Sequence, residues 1–322
     1  MNRILLAQGC LLGAFIGDAA GARLEFLRRL PSEQELADAF AMMGGGVLRV
    51  APGQITDDGE LTLAMARTLI GAQQFPREKV AANYRSWRSS SPFDIGNATS
   101  AALSGAVSST ENVADVVAGR SAAHNMDSKA NGALMRASAL GIWSTRLTRA
   151  EAAKAARDDA SLTHPNPSCQ WAGAAYVVAI RHLLLNPGDA AGAFTEAREV
   201  LAFATEGEPD EVISWLAGAR NGDLPAGHPN AGFVRIAFSH AMHHMLHETS
   251  FANALQQVLS CGGDTDTNAC IVGGLVGARV GIEGIPEHMT KSILECNTLV
   301  GRPRPDWLST RNTKDIAREL LE

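Results

Sequence analysis

The chain has no pair of cysteines in C-x-x-C spacing, and its five cysteines (Cys10, Cys169, Cys261, Cys270 and Cys296) are odd in number. Neither a disulfide scaffold nor a zinc ribbon fits that arithmetic, and a reducing, cytoplasmic location is expected. Polybasic blocks are missing as well: 28 Lys and Arg stand against 34 Asp and Glu, for a net charge of −6. Nothing here would track a phosphate backbone or an anionic bilayer, so no nucleic-acid or membrane partner is expected. Strand signals are nearly absent, with Val47-Leu48-Arg49-Val50 the only short β-like run. No repeat period and no Pro/Ser/Gly-rich linker divides the chain, which leaves one domain over residues 1–322.

What is present reads as helix. Alanine-rich stretches with 3.6-residue periodicity, punctuated by Gly, Pro and Asn, predict helices that include 4–22, 58–72, 97–107, 131–144, 168–185, 189–204 and 266–280. The expected fold class is all-α. The uncharged run Ile4 to Gly17 after Arg3 imitates a secretory signal. It is too short for a membrane span of about 20 residues and is expected to be a buried helix. Two helices carry glycines four residues apart, Gly13/Gly17/Gly21 and Gly273/Gly277/Gly281, each set on one helical face. Interior glycine costs roughly 0.5–1 kcal/mol relative to alanine, so the register predicts close backbone approach there. If the two faces pack together, Asp18 and Glu25 are brought near the second of two acidic clusters.

The first cluster, Thr56-Asp57-Asp58, opens an apolar helix. Taken alone it reads as capping, with Thr56 or Asp57 as cap and Asp57 and Glu60 in capping-box spacing. The second, Gly262-Gly263-Asp264-Thr265-Asp266-Thr267, opens another apolar helix and changes the weighting. Together they offer four carboxylates and hydroxyls with no Cys or His among them. Oxygen-only ligation selects hard divalent cations such as Mg²⁺ or Mn²⁺. Four carboxylates could not stay ionised together without cations, and the number suits two metals about 3.5–4 Å apart.

Further motifs accompany these clusters in order: Gly17-Asp18-Ala19 with Glu25, Pro92-Phe93-Asp94-Ile95-Gly96-Asn97, Asn131-Gly132-Ala133-Leu134-Met135-Arg136, Leu162-Thr163-His164 and Gly232-Phe233-Val234. In that order the chain resembles the ADP-ribosylglycohydrolases over nearly its whole length. The resemblance implies a compact, single-domain, multi-helix fold with a dinuclear Mg²⁺ or Mn²⁺ cleft. By motif matching it implies Thr56, Asp57, Asp58, Asp264, Asp266 and Thr267 as metal ligands, and Glu25 as an acidic residue beside the metals. Asn131, Gly132 and Met135 match the loop that holds a diphosphate, His164 lies toward the nucleotide, and Asp94 and Gly96 match the loop at the scissile end of the ribose. Two positions depart from the pattern, Gly59 where many relatives have Thr and Ala130 where some have Gly.

The activity implied is metal-dependent removal of ADP-ribose from protein side chains, arginine foremost, with Glu25 or Asp94 handling the proton. An ADP-ribosylated protein is then the substrate and ADP-ribose the product. Two other readings share these residues: an immunity protein against an ADP-ribosylating toxin and a metal-dependent phosphohydrolase. Other signals carry less. His240, His243, His244 and His247 sit at i,i+4 spacings, but His244 falls where a zincin needs Glu, so imidazoles on a helix are expected rather than zinc. Gly44-Gly45-Gly46 lacks the context of a nucleotide loop, and Cys261 and Cys270 read as small packing residues.

Overall fold

A computed structural model describes residues 2–108, 111–202 and 209–322. Among them lie sixteen α-helices, three short 3-10 turns and no strand. In chain order they are α1 (Arg3–Gly21), α2 (Glu33–Phe40), α3 (Asp57–Leu69), α4 (Arg77–Ser89), α5 (Asn97–Leu103), α6 (Val113–Asn125), α7 (Ser138–Trp143) and α8 (Arg149–Thr163). The second half holds α9 (Pro167–Leu185), α10 (Ala190–Ala202), α11 (Asp210–Asn221), α12 (Val234–Leu246), α13 (Phe251–Ser260), α14 (Thr265–Val280), α15 (Glu287–Leu294) and α16 (Thr313–Glu319). The all-α expectation holds.

Three helices, α1, α9 and α14, are apolar on nearly every face and form the centre, as helices without a polar stripe must. α1 is the one helix among the described residues long and apolar enough to cross a membrane, and 83% of its 18-residue apolar window is buried inside the protein. It is a core helix.

The glycine register explains how α1 and α14 meet. A Cβ at Gly9 would collide with backbone of Gly277 and Gly281, at Gly13 with the Gly273 carbonyl, at Gly17 with that of Ala269, and at Gly21 with Thr265 and Asp266. Rising numbers on α1 meet falling numbers on α14, so the two run antiparallel in backbone contact. The C-terminal end of α1 therefore abuts the N-terminus of α14, where the Thr265 hydroxyl donates to the Gly21 carbonyl (2.8 Å). Asp18 and Glu25 reach the second acidic cluster for this reason. Gly9 extends the register by one turn beyond the glycines that the spacing singled out.

Several local expectations are corrected. The predicted helix 131–144 is helical only over Ser138–Trp143, because 131–136 turn back to meet another loop. There the Asn131 N–H donates to the Gly232 carbonyl (3.0 Å) and Ala130 bridges Phe233. Helix 97–107 stops at Leu103. Of helix 189–204, the last two residues lie outside the described residues. Val47–Val50 is a turn rather than a strand, closed by paired hydrogen bonds between Gly45 and Val50. All three of Gly44, Gly45 and Gly46 take positive φ to make that turn.

Candidate active site

The carboxylates at the start of α3 are not spent on capping. Thr56 occupies the N-cap position without a side-chain cap bond. The orphan N–H groups are satisfied instead by Asp18 from α1, whose carboxylate accepts from the Thr56 N–H (3.0 Å), the Gly59 N–H (2.8 Å) and the Thr56 hydroxyl (2.9 Å). Gly59 is part of this arrangement, since a Cβ there would press on Asp18 Oδ2 and Ile55. Glycine at this position lets Asp18 come close. Glu60 does not complete a capping box either. It forms a bidentate pair with Arg304 (2.8 and 2.9 Å) and accepts from the Trp87 indole (2.6 Å), tying the C-terminal segment to α3.

At α14 the same economy holds. Asp264 is the N-cap but makes no cap bond. Its Oδ2 accepts from the Asn131 amide (2.9 Å), so the Asn131 side chain orients a carboxylate in addition to bordering the cleft. Asp266 Oδ1 accepts from the Thr267 N–H (2.8 Å).

Two triplets of carboxylates result, Asp18/Asp58/Asp266 and Glu25/Asp264/Asp266, each with ligand atoms within 4.8 Å of one another. Asp266 belongs to both. Asp57 lies alongside, its Oδ2 accepting from the Gly96 N–H (3.2 Å). No lysine or arginine enters either triplet. Burial first, then neighbouring carboxylates, push Asp57, Asp58 and Asp266 well above the ordinary aspartate range. Burial raises Asp18 to about 7 and Glu25 to about 8, with the charges of Asp94, Asp264 and Asp18 adding to the latter. Asp58 Oδ1 and Glu25 Oε2 are buried without a hydrogen-bond partner. Unpaired oxygens in triplets that, among the described residues, no lysine or arginine enters could hold a hard divalent metal ion.

Above this floor opens a cleft of about 500 Å³. Its walls bring together Glu25, Asp57, Asp94, Gly96, Asn131, Gly132, Met135, His164, Asp264, Asp266 and Thr267. Thr56 and Asp58 are buried beneath. Asp94 stands close enough to Glu25 for its charge to raise the Glu25 carboxyl, and it does not cap α5, whose N-cap is Gly96 without a side-chain bond. Burial raises Asp94, while the nearby Arg302 acts in the opposite direction. A side chain at Gly96 would meet open space, so the protein's own packing does not require glycine there. At the other end, Gly132 rests on the His164 ring, and a Cβ would come within 2.9 Å of it. Burial lowers His164 to about 3, a neutral imidazole held by the Thr163 hydroxyl (2.8 Å).

A family profile described as ADP-ribosylglycohydrolase matches residues 2–321. The chain belongs to the ADP-ribosylglycohydrolase family. A protein of Acanthamoeba polyphaga mimivirus named as an ADP-ribosyl glycohydrolase is 30% identical over 314 residues, covering 91% of this chain and 92% of that one. The ADP-ribosyl-[dinitrogen reductase] glycohydrolase of Rhodospirillum rubrum is 26% identical, covering 87% of each. The ADP-ribosylarginine hydrolase Tri1 of Serratia proteamaculans is 30% identical over 90% of this chain and 75% of its own. A solved ADP-ribosylglycohydrolase-related protein complex shares the fold, with a TM-score of 0.76 at 22% identity over 99% of this chain and 98% of that one. The chain is thus an ADP-ribosylglycohydrolase by sequence and all-helical fold.

Within this glycohydrolase, sequence reasoning brings Asp18 near the second acidic cluster but misses its place in the first triplet and its role as cap of α3. It is the one charged residue between Ile4 and Arg23, an isolated carboxylate in an apolar run, and that was the available signal. Thr99 was also missed; its buried hydroxyl has no partner and the residue lines the cleft. The histidines of α12 and its C-cap His247 carry no such role. His240, His243 and His247 bond the carbonyls of Pro225, Ala219 and Arg220, and His244 bonds Thr249, which pins α12 to its neighbours.

Proposed function

We propose that this glycohydrolase hydrolyses the N-glycosidic bond between ADP-ribose and an arginine side chain, using two Mg²⁺ or Mn²⁺ ions. The observation that carries this reading is the pair of carboxylate triplets sharing Asp266 on the floor of a cleft that also holds Asp94. Thr56, Asp57, Asp58, Asp264, Asp266 and Thr267 would hold the ions, with Asp18 bracing the Thr56 turn and Glu25 at the edge. When bound, the ions would supply charge for orienting ribose hydroxyls and for lowering the pKa of a water. The protein's own groups do the rest. Asn131, Gly132 and Met135 border the diphosphate, and neutral His164 supports the loop without adding charge. In the reaction water adds its oxygen to the anomeric carbon, the carbon–nitrogen bond breaks, and a proton goes to the leaving guanidine. Glu25 or Asp94 handles that proton. Arginine leaves as a cation at any physiological pH, and Asp94 provides the carboxylate that favours it. The names of the Tri1 relatives support the arginine linkage. Five free cysteines support a reducing, cytoplasmic setting.

The test is incubation with arginine-ADP-ribosylated and serine-ADP-ribosylated protein, with and without Mg²⁺, followed by identification of the released nucleotide. Free ADP-ribose, released much faster from arginine and only with metal, is the expected product. Asp94→Asn should suppress the arginine reaction while leaving metal binding nearly intact. Release of inorganic phosphate or AMP would mean a phosphohydrolase, and equal turnover of both linkages would remove the role given to Asp94.

A further inference from the structure

The cleft does not end at Glu25. A second cavity of about 460 Å³ shares Glu25, Phe26, Gly232 and Asp264 with it and runs along Leu24 to Arg29 toward His228. Three loops surround this end. Residues 22–31 carry Glu25. Residues 41–53 pack on them, for the Arg23 guanidinium donates to the Gly44 carbonyl and Gly46 lies against the Arg23 backbone. Residues 297–303 join at both sides: Gly301 touches Ala51, and the Arg302 guanidinium lies 5.2 Å above the Phe93 ring, next to Asp94.

These loops are unlike the rest of the surface. Six of the ten exposed large apolar side chains among the described residues belong to these three touching loops, Phe26, Leu30, Met43, Val47, Leu299 and Val300. Phe26 is held at φ 62° and Arg28 at φ 55°, a left-handed backbone that bulky residues rarely adopt and that clusters at functional sites. Glu25 is the only acidic residue in the three loops, in a chain of net charge −6, while Arg28 and Arg49 are exposed and in no ion pair among the described residues. The rim is apolar and cationic.

We infer that this rim docks the polypeptide bearing the modified arginine and selects acidic and apolar residues around it. The inference rests on the proposed function, which puts the bond to be cut at the Glu25/Asp94 end and so sends the acceptor chain out across these loops. Rim charges act on encounter and register, and apolar side chains supply area.

The experiment compares free ADP-ribosylarginine with two ADP-ribosylarginine peptides, one flanked by Glu and Leu and the other by Lys and Ser, all with Mg²⁺. The wild-type protein should favour the acidic-apolar peptide by about tenfold in kcat/KM, the size of effect a few rim contacts give. Arg28→Glu/Arg49→Glu should erase or reverse that preference, and Leu299→Ser/Val300→Ser should lower turnover of the acidic-apolar peptide several-fold. Both should leave turnover of free ADP-ribosylarginine unchanged. Equal use of the two peptides by the wild-type protein, or a preference that survives both double variants, overturns the docking role while cleavage of free ADP-ribosylarginine still upholds the proposed function. Failure to cleave any of the three would overturn the function and remove the rim's occupant with it.

Discussion

Two groups of buried charge sit in this core and are handled in opposite ways. Around Arg136, compensation is complete. Its guanidinium bonds the Asp159 carboxylate (3.0 Å) and backbone (3.1 Å), lies 4.5 Å above the Tyr84 ring, and leaves the Tyr84 hydroxyl to satisfy the other Asp159 oxygen (2.8 Å). Glu60 and Arg304 repeat the pattern beside α3. The basin of Asp18, Glu25, Asp58, Asp264 and Asp266 has no resident cation and leaves oxygens unpartnered. Asp18, Asp58 and Asp266 are as buried as Arg136 and Asp159, while Glu25 and Asp264 are half-buried at the cleft; what differs is whether the chain supplies the counter-charge. Where it does, the charges hold structure, and where it does not, the carboxylates could hold a metal ion.

Breaking the compensated group should have the largest effect. Arg136→Met strands Asp159 in the core and should cost about 3–5 kcal/mol, read as a lower melting temperature that Mg²⁺ does not recover. Because Arg136 also bonds the Gly132 carbonyl (3.3 Å), KM should rise in whatever folds. Gly277→Leu attacks the backbone contact that carries Asp18 and Glu25 to α14 and should cost at least about 1–3 kcal/mol, since the obstructing atoms belong to the Gly9 backbone. A wild-type melting temperature there would make the glycine register incidental. Asp266→Asn should do the reverse of Arg136→Met in metal-free protein. It removes a repelling charge and should raise stability by about 1 kcal/mol while abolishing activity.

A pH slope tests the same basin without a mutation. In the metal-free protein Asp18 and Glu25 titrate near 7 and 8, above the roughly 4 of the unfolded chain. Between those values the folded state binds more protons than the unfolded one. The stabilisation is therefore complete below about pH 4 and is lost as pH rises through 7 to 8. Melting temperature in EDTA should fall over that window and stay level with Mg²⁺ present. Matching curves would show the basin to be indifferent to cations.

How much of this was legible in the sequence follows from range. The glycine register and the two acidic clusters were readable because each is local and periodic, and their convergence followed once α1 and α14 were set in contact. Asp18 as the cap of α3 was not readable, because 38 residues separate it from Thr56 and a Thr-Asp-Asp run already offers its own caps. The loop at 131–136 was misread as helix because Ala133, Leu134 and Met135 favour helix, while the competing bond to Gly232 lies far along the chain. The partnership of Glu60 with Arg304 was hidden by a separation of 244 residues and by a capping-box spacing that fitted nearby. The uncompensated character of the basin is likewise a three-dimensional fact, since acidic residues at helix starts are ordinary until one sees which of them lack partners.

Calorimetric titration of Mn²⁺ into the metal-free protein and its Asp266→Ala variant tests the central claim most directly. The wild-type protein should bind two ions, and the variant, having lost the carboxylate common to both triplets, should bind fewer and hydrolyse nothing. Equal stoichiometry in the two proteins, or no binding by the wild type, would contradict the assignment of this basin as a dinuclear metal site.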